Sequence, residues 1–545
     1  MKRNFLKKLS AAILCGAMLV GCITGCGQEQ PVTKESTPVQ ETTKTSEVTP
    51  EVKEPDKITM WSSFGWRDSG VGYEGARFVD IIEEVCNVEI EFVDSVGSTE
   101  AMSILIGTNT LPDLVWCGKT EIAGGINQLY IDGGVLAFND LMDQGLMPNL
   151  TNIYENCPQL AKQASTEDGK YIAAGKIDTC EMTGEQPIIS YTGGFLIRQD
   201  WLDELGLKVP ETVQELEEVL VAFKEKKGAL GFAASWQGKS NFILSTAFGI
   251  NQADSFTLDN GVVKYGAYED VYKDFLTLQH KWMELGIIDP DTYTQDQDTF
   301  WSKMATGKYG LVYGFRGGEF NKIHTFENYD QMNWQPIPFM PLEKGESFDF
   351  SLISDNLNLY SDNMLLFIPS NSKNPEAAAR VIDFLYSEEG TDLLTWGIEG
   401  ESYEVVNGEK AYTKNITENA DGLSLTVALE VYCGEILNSV GVMNKQKDID
   451  RTLAWEEQVT ANEAWELNNP GAPTALPTVT LTEAEIEEAN AIKTDLDTFV
   501  DENRLNFILG TRSLDEFEKY QEEMKEMGVE KLIKIYQAAY DRTLE

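Results

Sequence analysis

Short apolar strands alternate with amphipathic helices from the start of the folded region, and this alternation restricts the architecture more than any other feature. The segments Ile58–Trp61, Val88–Val93 and Pro112–Trp116 have the composition and length of strands. Gly75–Val85 and Thr99–Thr108, which lie between them, have the apolar spacing of helices. Strand and helix in this order predict βαβ units and a largely parallel sheet. We therefore predict an α/β fold.

The same pattern continues along the chain. Thr212 is placed to cap a helix over Val213–Lys226. Gly193–Ile197 and Met364–Pro369 have the pattern of strands, and the chain from Thr482 onward is almost entirely helical in pattern. About 490 residues follow the N-terminal segments, which is too many for one core and predicts two large lobes.

The N-terminus has the features of an export signal. A basic head is followed by the apolar run Leu9–Val20 and by small residues before Cys22 and Cys26. The Gly-Cys pairs at these positions resemble the bacterial lipobox, in which the cysteine receives a lipid. We predict a leader over residues 1–26 with Cys26 (or Cys22) as the lipidation site, and a plain cleaved secretion signal is the alternative. Residues 27–56 lack aromatic side chains and predict a disordered tether.

Charge and composition exclude several classes of function. The formal net charge is −46, whereas nucleic-acid binding needs a basic surface. The same charge disfavours contact with an anionic membrane surface and a polyanionic ligand. The chain has only two histidines, so it has few of the imidazole groups that zinc catalysis or a Ser-His-Asp triad requires. The five cysteines beyond the leader have no metal-ligand spacing, and we predict that most are small buried apolar residues.

Several motifs occur in an order that resembles a known family. They are Leu111–Trp116, Ile197–Leu207 followed by Pro210–Thr212, Leu285–Pro290, Ile368–Ala377, Gly397–Gly400 and Tyr536–Asp541. Together they resemble the extracellular solute-binding proteins of ABC importers, in the group that captures carbohydrates. The resemblance covers Lys57–Glu545 and is closest to large lipoproteins of Gram-positive bacteria.

The resemblance implies a two-lobe, periplasmic-binding-protein-like (type II) fold with a ligand cleft between the lobes and a helical C-terminal region. It implies lobe 1 from residues 57–192 and 362–395, and lobe 2 from residues 193–361 and 396–545. The expected ligand is an oligosaccharide and the expected partner is an ABC permease. The protein is expected to be a monomer held on the outer face of the cell membrane by its N-terminal lipid, without cofactor, metal or enzymatic activity.

Candidate ligand-binding residues follow from what a sugar requires. Its C–H faces pack on aromatic rings, and its hydroxyl groups need hydrogen-bond partners in a dry site. We therefore selected aromatic and polar residues close to predicted strand ends or glycine-rich turns. They are Trp61, Trp66, Trp116, Tyr191, Trp236, Arg316, Trp396 and Glu399. For each of these aromatic residues, a place in the core or on an ordinary surface is the alternative. For Glu399 the alternative is a turn cap. Trp201, Trp282 and Trp455 lie within helical patterns, and we predict that they are core residues.

Two segments of the sequence bear on calcium binding. Relatives that bind acidic polysaccharide fragments often have a calcium loop after the helix that follows the first crossover, but here that stretch, Lys224–Gly231, has one carboxylate and three lysines. The second segment contains Asp289, Asp291, Asp296 and Asp298. It lacks the central glycine and terminal glutamate of the calcium motif, so a solvated loop with a helix cap is favoured.

Two other functions remain open from the sequence. A receptor of the same fold for a peptide, or a lipoprotein that feeds a sensor, would have the same architecture. An exported lyase or glycosidase would need two carboxylates about 5–9.5 Å apart across one bond. The many acidic residues do not exclude such a pair, although the chain lacks the repeats of barrel or toroid enzymes.

Overall fold

The computed structural model describes residues 54–62, 76–93, 99–178, 193–234, 242–250, 255–316, 318–344, 360–420, 423, 425–434, 440–443, 455–465 and 474–544. Residues Glu54–Glu545 form one compact unit. The predicted leader and nearly all of the tether lie outside the described residues, as do Trp66, Tyr191 and Trp236. Among the described residues, no helix is both long and apolar enough to cross a membrane.

Strands and helices alternate through the first half of the chain, as the sequence pattern predicts. The strands are β1 (Asp56–Ser62), β2 (Val88–Phe92), β3 (Leu114–Gly118), β4 (Ala174–Asp178), β5 (Gly193–Arg198), β6 (Ala233–Ala234), β7 (Phe256–Asp259), β8 (Val262–Tyr265), β9 (Leu311–Phe315), β10 (Trp334–Ile337), β11 (Tyr360–Phe367), β12 (Tyr403–Val406), β13 (Glu409–Tyr412), β14 (Gly441–Met443) and β15 (Thr474–Ala475).

The α-helices lie between and after these strands. They are α1 (Arg77–Cys86), α2 (Thr99–Gly107), α3 (Gly125–Ile131), α4 (Asn139–Asp143), α5 (Pro148–Asn156), α6 (Pro158–Ala164), α7 (Gln199–Leu205), α8 (Val213–Lys227), α9 (Phe242–Thr246), α10 (Val271–Leu285), α11 (Gln297–Ala305), α12 (Gly318–Ile323), α13 (Pro375–Leu385), α14 (Glu388–Trp396), α15 (Lys414–Thr417), α16 (Leu425–Cys433), α17 (Glu456–Ala464), α18 (Glu483–Ile508), α19 (Phe517–Met527) and α20 (Val529–Thr543).

A six-stranded sheet with the order β14-β4-β11-β3-β1-β2 forms the centre of the first lobe. Its strands are parallel except β11, which is antiparallel to both β3 and β4. The largely parallel sheet predicted from the first three strands is therefore confirmed. Helix α1 returns the chain from β1 to β2 and buries Phe78, Val79, Ile82 and Cys86. Phe78 and Ile82 lie inward as the sequence pattern predicts, whereas Val85, which the same pattern placed inward, is 46% exposed.

A four-stranded sheet with the order β10-β5-β9-β6 forms the centre of the second lobe. Here β5 is antiparallel to β9 and to β10, and β6 is parallel to β9. Helix α8 follows β5 and α7, and the Thr212 side chain accepts a hydrogen bond from the backbone N–H of Glu215. The predicted helix cap is therefore confirmed.

In the order of its described strands and helices, the chain passes between the two sheets three times. It leaves the first sheet after β4 and enters the second at β5, returns from β10 to β11, and leaves again after β14 toward α17. The antiparallel strand of each sheet, β11 in the first and β5 in the second, is the strand that directly follows a crossing from the other sheet. All the other strands of both sheets therefore end at the edge where the crossings begin or end. We call this edge of each sheet its carboxyl edge.

The chain after residue 396 is divided differently from the sequence-based allocation, which placed all of 396–545 in lobe 2. Strand β14 pairs with β4 in the first sheet, and α16 packs against α1. The described residues between 397 and 443 therefore extend the first lobe. The third crossing, which adds this strand to an edge of the first sheet, has no distinctive sequence motif and was not predicted.

Each lobe has its own hydrophobic core. Separate clusters cover the two faces of the first sheet. A larger cluster fills the second lobe and includes the inward faces of α18, α19 and α20, so the C-terminal helices belong to that core. Helix α18 also contacts α3 of the first lobe. The four cysteines beyond the leader that the structure describes are all buried, as predicted, and Cys180 lies outside the described residues.

Candidate functional site

The carboxyl edges of the two sheets are the candidate ligand site. Open α/β sheets bind ligands beyond the carboxyl ends of their strands, where the loops converge. In the first sheet these ends are near Ser62, Gly118 and Asp178. In the second they are near Phe315 and Ile337. Because the crossings join the two edges, loops from both lobes are available to one ligand.

Trp61 and Trp116 are near the ends of β1 and β3, as predicted, but both are buried. Trp61 is 2% exposed and Trp116 is 1% exposed. Their side chains point to opposite faces of the sheet, where they join different core clusters. At the ends of β1 and β3, both faces of the sheet are covered by these core clusters. The burial of the two rings favours the core alternative.

Arg316 lies just beyond the carboxyl end of β9, at the predicted edge, but only 3% of it is exposed. Its Nη1 donates to Oδ1 of Asn462 at 2.9 Å. Its carbonyl oxygen accepts from Nε2 of Gln458 at 3.1 Å. Both partners belong to α17, which follows the third crossing. Arg316 therefore fixes this helix to the carboxyl edge of the second lobe.

Trp396 and Glu399 lie together at the end of α14 in the first lobe. The half-buried Trp396 ring is 5.1 Å from the ring of Tyr412 and 6.2 Å from that of Tyr403. Glu399 is exposed and lines a cavity of about 510 Å³. The other lining residues are Ile81, Glu388, Glu389, Asp392, Leu393, Gly397, Ile398 and Tyr403. Four carboxylates in this wall make the cavity unsuitable for an anion.

A second cavity of about 420 Å³ lies between α3 and the start of α18. Tyr130 and Asp168 form part of the first-lobe wall, and Leu481 and Ile486 come from the C-terminal segment. Tyr130 donates to Oδ2 of Asp168 at 3.3 Å. Gly133 and Val135 also line this cavity. Val135 pairs with Pro369, which follows the end of β11. Because β11 is antiparallel to its neighbours, this end lies at the edge opposite the carboxyl edge. The cavity therefore marks the contact between the first lobe and the C-terminal helices.

Trp455 was predicted to be a core residue, and this prediction is wrong. The residue precedes α17 as its N-cap, and 39% of it is exposed. Trp201 and Trp282, by contrast, are 7% and 0% exposed, and their core assignment is confirmed. A tryptophan at a helix N-cap lies outside the apolar stripe of the helix, and this position is the signal in the sequence that distinguishes Trp455 from the other two.

Trp455 lies on a small aromatic and polar cluster. Its ring stacks on the ring of His324 with centroids 3.6 Å apart and an interplanar angle of 7°. Glu457 lies beside this pair, with Oε2 3.6 Å from Nε2 of His324, and its Oε1 accepts from Tyr329 at 3.1 Å. Burial lowers the pKa of His324, and the Glu457 carboxylate does not offset this. Burial and the Glu457 carboxylate together raise the pKa of Tyr329 to about 12.

In both segments that bear on calcium binding, charged side chains are paired with other groups of the protein. In the first, α8 ends at Lys227, which forms an ion pair with Glu204. In the second, Nζ of Lys303 lies 2.8 Å from a carboxylate oxygen of Asp289 and 2.8 Å from one of Asp291. The side chain of Asp296 caps α11 by accepting from the backbone N–H of Thr299. The predicted helix cap is therefore confirmed for the second segment, whereas Asp289 is not on a solvated loop, because it is only 2% exposed.

Two α/β lobes joined by three crossings at their carboxyl edges define the class of two-lobe solute receptors. The chain matches the bacterial extracellular solute-binding protein family over residues 76–392, more than half of its length, and it belongs to that family. It is 25% identical over 488 residues to the fructooligosaccharide ABC transporter substrate-binding protein FusA of Streptococcus pneumoniae, which covers 85% of this chain and 86% of FusA. It is 23% identical over 503 residues to the polygalacturonan/rhamnogalacturonan-binding protein YtcQ of Bacillus subtilis, which covers 85% of this chain and 88% of YtcQ.

Solved structures have the same fold. The alginate-binding protein AlgQ2, crystallised without calcium ion, superposes with a TM-score of 0.70 at 19% identity over 90% of this chain and 98% of its own. An EF-hand mutant of S. pneumoniae FusA in complex with fructo-nystose superposes with a TM-score of 0.68 at 20% identity over 89% of this chain and 99% of its own. The two-lobe, periplasmic-binding-protein-like fold expected from the sequence is therefore confirmed.

Proposed function

We propose that this protein captures an oligosaccharide between its two lobes and delivers it to the permease of an ABC importer. The family match over residues 76–392 carries the proposal. The names of the relatives add to it, because FusA and YtcQ are both carbohydrate-binding proteins by name. The protein is proposed to be a receptor and not an enzyme, as is usual for a member of this family.

A neutral oligosaccharide fits the charge of the chain better than an acidic one. The formal net charge is −46, and the acidic cavity at Glu399 adds a local negative field in the first lobe. A polyanionic sugar would have to overcome both. The ligand site is proposed at the carboxyl edges. Its candidate residues are Trp66, Tyr191 and Trp236, which lie outside the described residues, together with Arg316, Trp396 and Glu399.

A binding panel tests the function. The probes are the neutral oligosaccharides kestose, nystose, maltotetraose, xylotetraose and mannotetraose, with trigalacturonate as the acidic sugar and tetra-alanine as the peptide. We expect at least one neutral oligosaccharide to raise the melting temperature and to bind in calorimetry with a Kd of about 1 μM or below, or roughly −8 kcal/mol. Binding of the peptide alone would contradict the proposal. Mass spectrometry after several hours should recover the sugar intact, and cleavage would indicate an enzyme.

We also propose that the protein is anchored on the extracytoplasmic face of the membrane by a lipid on Cys26 or Cys22. The support is the basic, apolar and Gly-Cys pattern of the first 26 residues. One acyl chain binds a membrane only weakly, and the diacylglycerol of a lipoprotein supplies two. Replacing both cysteines by Ala should release the protein into the medium or leave it unprocessed. Continued partitioning of the double variant into detergent would contradict lipid anchoring.

A further inference from the structure

Trp455 is held in place more firmly than an exposed surface residue requires. His324 supports one face of the ring, and the indole Nε1 donates to Oδ1 of Asn321 at 3.1 Å. The backbone N–H of Trp455 donates to Oε1 of Gln458 at 2.9 Å. One ring face, the indole nitrogen and the main chain are thus all fixed. A tryptophan stabilises a fold mainly when its ring is buried, so an exposed ring that is held this firmly contributes little to stability for its size.

The groups beneath Trp455 are themselves fixed. Only 8% of the His324 side chain is exposed, and its other neighbour is the ring of Tyr329, with centroids 4.0 Å apart. Because burial lowers the pKa of His324, the imidazole is neutral near pH 7 and stacks as an aromatic ring, not as a cation. The hydrogen bond from Tyr329 to Glu457 connects this support to the first turn of α17. The cluster therefore presents a rigid indole, which costs little side-chain entropy when a ligand binds.

The position of Trp455 connects it to the candidate ligand site. It is the first described residue after the third crossing. Its partner Asn321 is on α12, which begins just beyond the carboxyl end of β9 and also contacts α16 of the first lobe. Gln458 contacts Asn321 at 3.3 Å and the carbonyl oxygen of Arg316 at 3.1 Å. Trp455 is thus connected through the side chains of Asn321 and Gln458 to Arg316, which lies at the carboxyl edge.

The surroundings indicate what the exposed indole would bind. Val459, one turn further along α17, is 44% exposed and extends the apolar surface. The exposed charged residues of the same helix are Glu456 and Glu463, which repel anions and can accept hydrogen bonds from hydroxyl groups. A flat apolar ring at the start of a helix whose exposed charged groups are hydrogen-bond acceptors matches the C–H face and the hydroxyl groups of a neutral sugar.

We propose that the exposed face of Trp455 is the stacking platform for one ring of a neutral oligosaccharide at the carboxyl edge of the second lobe. The proposal rests on the proposed function, because it names a residue of that same site. His324 is a positioning residue in this arrangement, since it sets the plane of the indole without contacting the sugar.

The test compares Trp455→Ala, Trp455→Phe and Trp301→Phe by calorimetry with the five neutral oligosaccharides of the panel. Trp301 is the control, because it is half-buried on α11, which leads to the opposite end of β9. Loss of the platform in Trp455→Ala should weaken binding about 10- to 100-fold, the scale of one buried aromatic contact. Trp455→Phe keeps a ring and should lose less, and Trp301→Phe should bind as the unaltered protein does.

Melting temperatures of the empty proteins separate binding from folding. Because Trp455 is partly exposed, Trp455→Phe should melt close to the unaltered protein, so its affinity remains interpretable even if Trp455→Ala folds poorly. Unchanged affinity for every neutral oligosaccharide in both Trp455 variants would overturn the platform while leaving the proposed function intact. If the unaltered protein binds none of these sugars, the proposed function fails and the platform fails with it.

Discussion

Asp113 shows how one residue joins three parts of the first lobe. Its Oδ2 accepts from the backbone N–H and the hydroxyl of Thr59 on β1, each at 2.9 Å. Its Oδ1 accepts from the hydroxyl of Ser372 at 3.0 Å and from the backbone N–H of Lys373 at 2.7 Å, in the turn after β11. Burial raises the pKa of Asp113, but these hydrogen bonds outweigh it and hold the pKa below its ordinary value. The Leu-Pro-Asp motif is therefore explained by architecture and not by ligand binding.

We expect Asp113→Asn to lower the stability of the first lobe by about 2–4 kcal/mol near pH 7, because both carboxylate oxygens face donors and an amide nitrogen cannot accept. The folded-state pKa is depressed, so this stabilisation is present above the unfolded pKa of about 3.9 and is lost as the pH falls through the folded pKa. The difference in melting temperature between the two proteins should be constant from pH 5 to pH 8 and should shrink in more acidic buffer. A difference that persisted undiminished at pH 2 would contradict the role of the charge.

At the scale of elements, the close approach of the Trp465 and Tyr313 side chains to β5 explains the Gly193-Gly194 pair. Trp465, at the end of α17, is fully buried, and its Nε1 donates to the carbonyl oxygen of Ile337 at 3.1 Å. A Cβ on Gly194 would lie 2.3 Å from the indole Cε2, and one on Gly193 would lie 2.5 Å from the Tyr313 hydroxyl. The two glycines therefore allow side chains to approach the backbone of β5 where the chain enters the second lobe.

Gly194→Ala should lower the stability of the second lobe by about 1–3 kcal/mol, because the added methyl group forces the indole of Trp465 from its place. Gly107→Ala is the matched control, since a Cβ there would meet no atom within 4 Å. The measurement is the melting temperature of each variant. In a Trp465→Ala background the cost of Gly194→Ala should fall. An equal cost in both backgrounds would show that the indole is not the obstacle.

For the whole molecule, the important feature is how the two lobes are held together. Three crossings join them along the chain, and the C-terminal helices add contacts through space. Asn490 on α18 donates to the carbonyl oxygen of Gly124 at 3.0 Å, Thr480 donates to that of Ser165 at 3.2 Å, and Lys162 donates to that of Arg542 at 2.8 Å. Each hydrogen bond of this kind contributes only about 1 kcal/mol, so these three contacts do not by themselves lock the lobes together.

We expect the lobes to close on the ligand by hinge bending and the protein to remain a monomer. Small-angle scattering should show a smaller radius of gyration with a saturating oligosaccharide from the panel than without it. Light scattering under the same conditions should give the mass of one chain in both states, which excludes dissociation of a dimer as the cause. An unchanged radius at confirmed saturation would contradict hinge closure.

The sequence by itself determined the elements whose signals are local. The strands β1, β2 and β3, the apolar face of α1 and the Thr212 cap all depend on residues within a few positions of one another, so their patterns could be read directly. The two-lobe fold could also be predicted, because the order of many weak motifs together resembles one family. Among the candidate site residues, Arg316 follows a strand end as expected from the sequence, whereas Trp61 and Trp116 are buried.

Only the tertiary structure decided which aromatic rings are covered. Trp61 and Trp116 end strands but are buried by elements that are distant in sequence, while Trp455 begins a helix and stays open because His324 supports one face only. The same holds for β14, which joins the first sheet through pairing with β4, more than 250 residues earlier in the chain. Burial and strand order are properties of contacts between remote segments, and no local pattern of residues encodes them.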